Sequence, residues 1–227
     1  MAKKLTIALA GNPNSGKTTI FNNLTGAHKH VGNWPGVTVA KREGTCKYND
    51  YKIKIVDLPG TYSLTAYSLD ERIARNFVLE EGPDMVVNII DASNLERNLY
   101  LTTQFIELEL PLIICLNKSD LAESHGYKIN TKQLTQFIGL PVVSTVGHRN
   151  QGTDNLLDTI VKLASGEINF RKMTVGYGKE IQDEISKIED LIKKNRSLKG
   201  KYPSRWLAVK LLEGDKEMTK LIDEKNR

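Results

Sequence analysis

Gly11-Asn12-Pro13-Asn14-Ser15-Gly16-Lys17-Thr18 follows directly on the apolar run Leu5-Thr6-Ile7-Ala8-Leu9-Ala10. A strand feeding G-x-x-x-x-G-K-[ST] is the phosphate cradle of P-loop nucleoside triphosphatases. Its glycines let the loop wrap a polyphosphate with backbone N–H groups pointing inward, and the following helix adds the positive end of its dipole. Lys17 is placed to reach the β- and γ-phosphates, and the Thr18 hydroxyl to sit on Mg²⁺. Thr19 continues the helix-compatible stretch Thr19-Ile20-Phe21-Asn22-Asn23-Leu24, which supplies the context the loop requires.

Two further stretches sharpen this expectation. Asp57-Leu58-Pro59-Gly60 closes an apolar strand as D-x-x-G. An aspartate there holds Mg²⁺ through water, and the Gly60 N–H senses a γ-phosphate, so the next loop changes when that phosphate leaves. Asn117-Lys118-Ser119-Asp120 ends a later strand as N-K-x-D. The Asp120 carboxylate accepts two hydrogen bonds from guanine, from the ring N–H and the exocyclic amine. Adenine lacks that donor pair, and a carboxylate left unpaired discriminates by roughly 10⁴-fold. Lys118 is expected along the base plane, and Asn117 is expected to tie this loop to the phosphate loop. Ser144-Thr145-Val146-Gly147-His148 follows the last strand. In small GTPases the corresponding loop gives a backbone N–H to the guanine carbonyl, usually from Ser-Ala-x; Val146, Gly147 and His148 stand there instead. Before the edge strand, Gly36, Val37 and Thr38 lie in a loop that places Thr38 to bind Mg²⁺ and the γ-phosphate on closing.

Apolar segments at Leu5–Ala10, Gly44–Tyr48, Tyr51–Asp57, Met85–Asp91, Leu112–Asn117 and Pro141–Thr145 read as six strands. Helical patterns at Lys17–Thr25, Leu69–Leu79, Asn98–Leu108, Thr131–Ile138 and Thr153–Ala164 separate most of them. The alternation predicts an α/β fold with a mainly parallel sheet and an antiparallel edge hairpin turning at Asn49-Asp50. Ligands of such sheets bind at the carboxyl ends of the strands, where these motifs fall. Beyond Gly166 the alternation stops. Ile181, Ile185, Ile188, Leu191 and Ile192 repeat at helical spacing, and a Lys199–Pro203 turn precedes helices through Trp206–Leu212 and from Asp215. Residues 1–166 are therefore expected to form a nucleotide domain and residues 167–227 a small helical one.

The 227 residues are 40% hydrophobic and 26% charged, as in an ordinary soluble globular protein. The longest apolar run, Leu110–Leu116, is too short for a bilayer. Met1-Ala2-Lys3-Lys4 leads into the first strand without a leader pattern. Cys46 and Cys115 lie in strands and read as reduced structural thiols. Of the net charge of +5, residues 1–166 hold 17 Lys+Arg against 16 Asp+Glu, so the basic excess lies in the tail. Solvated helix faces account for it most simply, with an anionic lipid surface as the sharper alternative. His28 and His30 flank Lys29, but histidines at i, i+2 without a carboxylate or cysteine nearby more often face water than metal.

Gly32-Asn33-Trp34-Pro35-Gly36-Val37-Thr38, Tyr62-Ser63-Leu64, Leu95-Glu96-Arg97-Asn98-Leu99-Tyr100-Leu101-Thr102 and Arg205–Leu211 together resemble one family, that of ferrous iron transport protein B (FeoB), in its N-terminal cytosolic part. The resemblance covers nearly the whole chain. It implies a G domain followed by a helical domain likened to a nucleotide-dissociation inhibitor, joined to a transmembrane Fe²⁺ permease at the cytoplasmic face of the inner membrane. It further implies slow GTP hydrolysis as a regulatory activity, guanine nucleotide as ligand and no nucleic-acid partner, and it leaves self-association open. FeoB-like GTPases have an asparagine where Asn14 stands, to ligate K⁺. Thr61 occupies the place of the glutamine that orients water in many GTPases, so water positioning falls to backbone groups and charge stabilisation to K⁺. Trp34 reads equally as a mobile switch aromatic and as a docking anchor. Two other functions fit the generic motifs: a free-standing GTPase of ribosome assembly or RNA modification, and a switch whose hydrolysis is incidental.

Overall fold

Apolar strands alternating with amphipathic helices dictate a sheet covered on both faces, and the computed structural model has that architecture in a first unit, Met1–Phe105 with Leu110–Lys172. The structure describes residues 2–195, 197–198, 200 and 202–225. The strands are β1 (Lys3–Gly11), β2 (Lys29–Asn33), β3 (Ala40–Tyr48), β4 (Tyr51–Asp57), β5 (Met85–Asp91), β6 (Leu112–Asn117) and β7 (Val142–Ser144). They form one sheet of seven strands in the order β2-β3-β4-β1-β5-β6-β7. Pairing is parallel from β4 through β1, β5 and β6 to β7, and antiparallel at β2–β3 and β3–β4. The expected count of six is corrected by β2, whose residues lack the apolar alternation that marks a strand in sequence. Strand β3 also begins at Ala40, four residues before the expected Gly44. The β3–β4 turn is tight, with Asn49 at φ 49°, a left-handed conformation that asparagine tolerates.

Helices α1 (Lys17–Thr25), α2 (Leu69–Asn76), α3 (Leu95–Glu107), α4 (Ser119–Ser124), α5 (Thr131–Ile138) and α6 (Thr153–Ser165) connect the strands. Ile20, Phe21 and Leu24 of α1 and Leu156, Ile160 and Leu163 of α6 join Ile7, Leu9, Ile53, Ile55, Val87, Ile89 and Ile113 in one buried cluster. Strands β5 and β6 are buried almost throughout, so they read as continuous apolar runs rather than alternating ones. Gly44 lets α1 lie close on β3, because a Cβ there would stand 2.3 Å from Thr25 Cγ2. Helix α2 starts on a capping box: Ser68 Oγ accepts from Glu71 N–H while Glu71 accepts from Ser68 N–H. It gives way at Phe77 to a π-helical turn, Phe77–Glu81, shortening the expected Leu69–Leu79 helix.

The second unit takes Ile106–Glu109 and Met173–Arg227. Its helices are α7 (Lys179–Lys194), α8 (Ser204–Leu212) and α9 (Lys216–Lys225). Ile185 and Ile192 are buried with Trp206, Leu207, Ala208 and Met218. Arg205 Nε lies 3.1 Å from the buried Glu107 carboxylate and donates from Nη2 to Val175 O at 2.7 Å. Burial pushes the Glu107 carboxyl above its ordinary value, with Arg205 and the Val175 N–H acting in the opposite direction. Lys199 and Lys201 of the expected turn lie outside the described residues. No described helix is long and apolar enough to cross a membrane.

Candidate functional site

The carboxyl ends of β1, β4, β5 and β6 gather the motif residues on one edge of the sheet. Strand β1 ends at Gly11 and the chain turns through Asn14, at φ 65°, to Gly16, which caps α1. Gly16 is required twice over: its φ is 89°, and a Cβ would lie 2.1 Å from Asn117 Nδ2. Asn12 and Ser15 are buried within the turn, Ser15 N–H donates to Asn12 O at 3.1 Å, and Pro13 packs on Gly60. Lys17 is buried and ion-paired with Asp57, which ends β4. Arg42 completes the group. Its Nη1 donates to Thr18 Oγ1 at 3.3 Å and stands 3.9 Å from Asp57 Oδ2. Thr18 and Asp57 thus present a hydroxyl and a carboxylate to one cation.

After Asp57, the Leu58 N–H donates to Leu9 O at 3.0 Å and the Thr61 N–H to Gly11 O at 3.2 Å, so Gly60 is held against the phosphate loop. The Thr61 hydroxyl is turned away, donating to Ser63 O at 2.6 Å. Helix α3 secures the segment from Tyr62 to Leu64. Gln104 Oε1 accepts from the Leu64 N–H, and the Arg97 guanidinium stacks 4.2 Å from the centre of the Tyr62 ring. Glu71 collects the Ser63 and Thr65 hydroxyls and the Tyr67 N–H.

Gly36, Val37 and Thr38 are not gathered with these groups. They occupy a turn between β2 and β3, where Trp34 N–H donates to Val39 O at 2.9 Å and Val37 N–H donates to Trp34 O at 3.2 Å. Thr38 is exposed. Trp34 is buried edge-on to Phe77, with ring centres 5.5 Å apart, and Lys41 Nζ stands 4.8 Å from its ring. His28 and His30 belong to no metal cluster: among the described residues no three His, Cys, Asp or Glu side chains converge as one.

The third loop cluster is built around Asn117. Its Nδ2 donates to Ser15 O at 2.9 Å, and its Oδ1 accepts from Gly147 N–H at 2.9 Å and from Thr145 Oγ1 at 3.2 Å. The expected tie to the phosphate loop is therefore a direct hydrogen bond. Asn23 Nδ2 adds a bond to Gly147 O at 2.8 Å, and Val146 and Gln151 bridge the base of the loop. Lys118 sits at φ 59° and opens α4, and its ammonium pairs with Asp91 at 2.6 Å. Burial opposes ionisation of Asp91, but Lys118 and the Ser93 donors outweigh it and hold the carboxyl below its ordinary value. Asp120 faces a cavity of ≈ 470 Å³ lined by Gly16, Thr19, Asn117, Lys118, His148 and Arg149. His148 Nε2 and Arg149 Nη2 stand 3.5 and 3.9 Å from its carboxylate. Arg42, Asp91, Gln104 and Asn23 carry no motif of their own, whereas Arg97 falls within the Leu95–Thr102 run.

A phosphate loop, a D-x-x-G and an N-K-x-D joined at the carboxyl edge of a mostly parallel sheet define a P-loop G domain. A family model described as ferrous iron transport protein B matches residues 5–160, and one described as the FeoB cytosolic helical domain matches residues 177–227. The chain belongs to the ferrous iron transport protein B family. It is 46% identical over 220 residues to an Fe(2+) transport protein A/Fe(2+) transporter FeoB fusion protein of Porphyromonas gingivalis, covering 96% of this chain and 26% of that one. It is 44% identical over 217 residues to the Fe(2+) transporter FeoB of Escherichia coli K12, covering 94% and 27%. The chain thus spans about a quarter of the length of these relatives. The crystal structure of the cytosolic domain of T. maritima FeoB in a GDP form superposes with a TM-score of 0.92 at 38% identity, covering 99% and 87%. The cytosolic domain of L. pneumophila FeoB gives 0.82 at 36% identity, covering 97% and 93%.

Proposed function

We propose that this chain binds and slowly hydrolyses GTP as the regulatory domain of a ferrous iron transporter, whose transmembrane permease belongs to the same full-length protein and sets the chain at the cytoplasmic face of the membrane. The observation that carries the proposal is Asn117, whose three hydrogen bonds join the phosphate loop, the N-K-x-D loop and the Gly147 loop around one cavity. Asp120 opens on that cavity and accepts the guanine ring N–H and amine. Lys118, held by Asp91, lies beside it, and Gly147 and His148, of the Val146-Gly147-His148 loop, also line the cavity. Gly11 to Thr19 wrap the phosphates, with Lys17 leaving Asp57 for the β- and γ-oxygens.

The all-oxygen donor set of Thr18 and Asp57 suits Mg²⁺; Thr18 and Thr38 would hold the ion directly and Asp57 through water. Mg²⁺, when bound, offsets the charge that develops on the β- and γ-oxygens. Asn14, held in a left-handed conformation within the phosphate loop, is the residue that would bind K⁺, whose added positive charge would act in place of an arginine finger. Thr61 takes no part in positioning water, since its hydroxyl is committed to Ser63 O; backbone groups of the ordered switch loops serve there instead.

Titration with labelled GTP, GDP and ATP tests the proposal. Guanine nucleotides should bind about 10³-fold or more tighter than ATP, and turnover should be faster in K⁺ than in Na⁺. Comparable affinities for GTP and ATP would refute the base assignment; equal rates in the two salts would refute the role of Asn14.

A further inference from the structure

Arg42 reaches the phosphate site through strand register rather than through any motif. It lies directly opposite Asp57 in the antiparallel β3–β4 ladder, and directly opposed residues project from the same face. Gly44, two residues along that face, lies under Thr25 of α1, so Arg42 points toward the start of the same helix. Its Nη1 there donates to Thr18 Oγ1 at 3.3 Å and stands 3.9 Å from Asp57 Oδ2, while Lys17 takes Asp57 Oδ1. The neighbouring Lys41 projects to the other face, paired with Glu43 at 2.8 Å and set over Trp34.

Thr18 Oγ1 and the Asp57 carboxylate are the oxygens assigned above to Mg²⁺, and the inference rests on that assignment. A guanidinium and Mg²⁺ carry charge of the same sign, and both seek the Thr18 hydroxyl oxygen beside the Asp57 carboxylate, so each disfavours the other. We infer that Arg42 competes internally for the Mg²⁺ site and thereby sets the Mg²⁺ concentration at which the domain retains its nucleotide. Its side chain is 44% exposed, so it has room to swing into solvent when the ion enters. By linkage, a contact made only in the ion-free form lowers the apparent ion affinity by the factor with which it favours that form. One half-exposed ion pair and one hydrogen bond from a charged donor set that factor at about 3- to 10-fold.

The test uses the full chain as wild type, Arg42→Gln and Lys41→Gln, the last removing the same charge from the opposite face. Release of a fluorescent GDP analogue is followed at buffered free Mg²⁺, and thermal unfolding is measured without nucleotide in EDTA and again in saturating Mg²⁺ and GDP. Arg42→Gln should retain GDP at about 3- to 10-fold lower Mg²⁺. It should also unfold about 2–4 °C below wild type in EDTA, and level with wild type in Mg²⁺ and GDP. Lys41→Gln should leave the Mg²⁺ midpoint in place. An unchanged midpoint in Arg42→Gln overturns the inference alone, as do equal shifts in both variants, which a general field effect produces. A thermal loss that persists in Mg²⁺ and GDP likewise overturns it, since that marks a purely structural contact. Wild-type release that ignores Mg²⁺ overturns the Mg²⁺ assignment and the inference together.

Discussion

Replacing Asn117 by alanine removes the junction of the site's three loops. Asn117 is 3% exposed and makes hydrogen bonds to Ser15 O, from Gly147 N–H and from Thr145 Oγ1. Thr145 keeps an alternative partner in Cys115 Sγ at 3.3 Å, but the Ser15 carbonyl and Gly147 N–H lose theirs. A net hydrogen bond contributes about 1 kcal/mol, and a stranded buried group costs about 1–3 kcal/mol. The expected loss is about 3 kcal/mol, which for a chain of this size lowers the unfolding temperature by about 6–12 °C. Guanine-nucleotide affinity should fall with it, because the phosphate and base loops are no longer held in register. Asn88→Ala is the matched control, a buried asparagine in the neighbouring strand whose amide donates only to Thr102 Oγ1, at 2.8 Å. It should cost less stability and leave nucleotide binding intact. Differential scanning calorimetry and a GDP titration on both variants decide the matter. An Asn117→Ala protein that unfolds within a degree of wild type, or loses no more than Asn88→Ala, would refute the reasoning.

Gly44→Ala should lower stability by about 1–3 kcal/mol through overpacking against Thr25, and Thr25→Ser should recover part of it in chemical denaturation, since the serine keeps the hydroxyl bond to Phe21 O. Arg205→Met should cost about 3–5 kcal/mol near neutral pH by leaving Glu107 buried without its counter-charge. The folded-state value of Glu107 is raised, so the protonated form is the one folding favours. Its contribution is present below the ordinary value of 4.5 and is lost as pH rises through the folded value. The penalty of Arg205→Met should therefore be larger at pH 8 than at pH 5; urea melts showing the same penalty at both would count against it. Hydrogen exchange compared between GDP and a non-hydrolysable GTP analogue should differ most at residues 28–40 and 60–80, where Thr38 and Gly60 answer to a γ-phosphate. Equal protection in both states would separate those loops from nucleotide state.

The three motif loops are legible in sequence because each is local: spacing places Lys17, Asp57 and Asp120 at strand ends, and a parallel sheet brings those ends together. Strand β2 is not, because Lys29–Asn33 shows no apolar alternation and is mostly exposed; it is a strand by pairing with β3, not by burial. Arg42 is hidden for the same reason, since its partnership with Asp57 depends on β3 beginning at Ala40. The Asp91–Lys118 pair needs β5 and β6 as neighbours, with Asp91 opposite Asn117, which no single segment discloses. The packing of Trp34 on Phe77 depends on the π-helical turn, whose start gives no periodic signal, so sequence alone does not choose between a mobile aromatic and an anchor. At Gly147 the space for a side chain is tight: a Cβ would stand 3.0 Å from Asn117 Oδ1 and 3.1 Å from Ile20 Cδ1.

Strand β2 is hydrogen-bonded on one side only, to β3, and covers almost no apolar surface. Peeling it away breaks a short ladder whose outer groups already face water, so its opening lies at the low end of the free-energy range for local unfolding. Freed edges are hazardous in β proteins, because an unpaired strand templates addition of a foreign one. Here the strand exposed behind β2 begins Ala40-Lys41-Arg42-Glu43, and its charged side chains resist such recruitment. Loss of the outermost strand would thus uncover an edge that begins with charged residues.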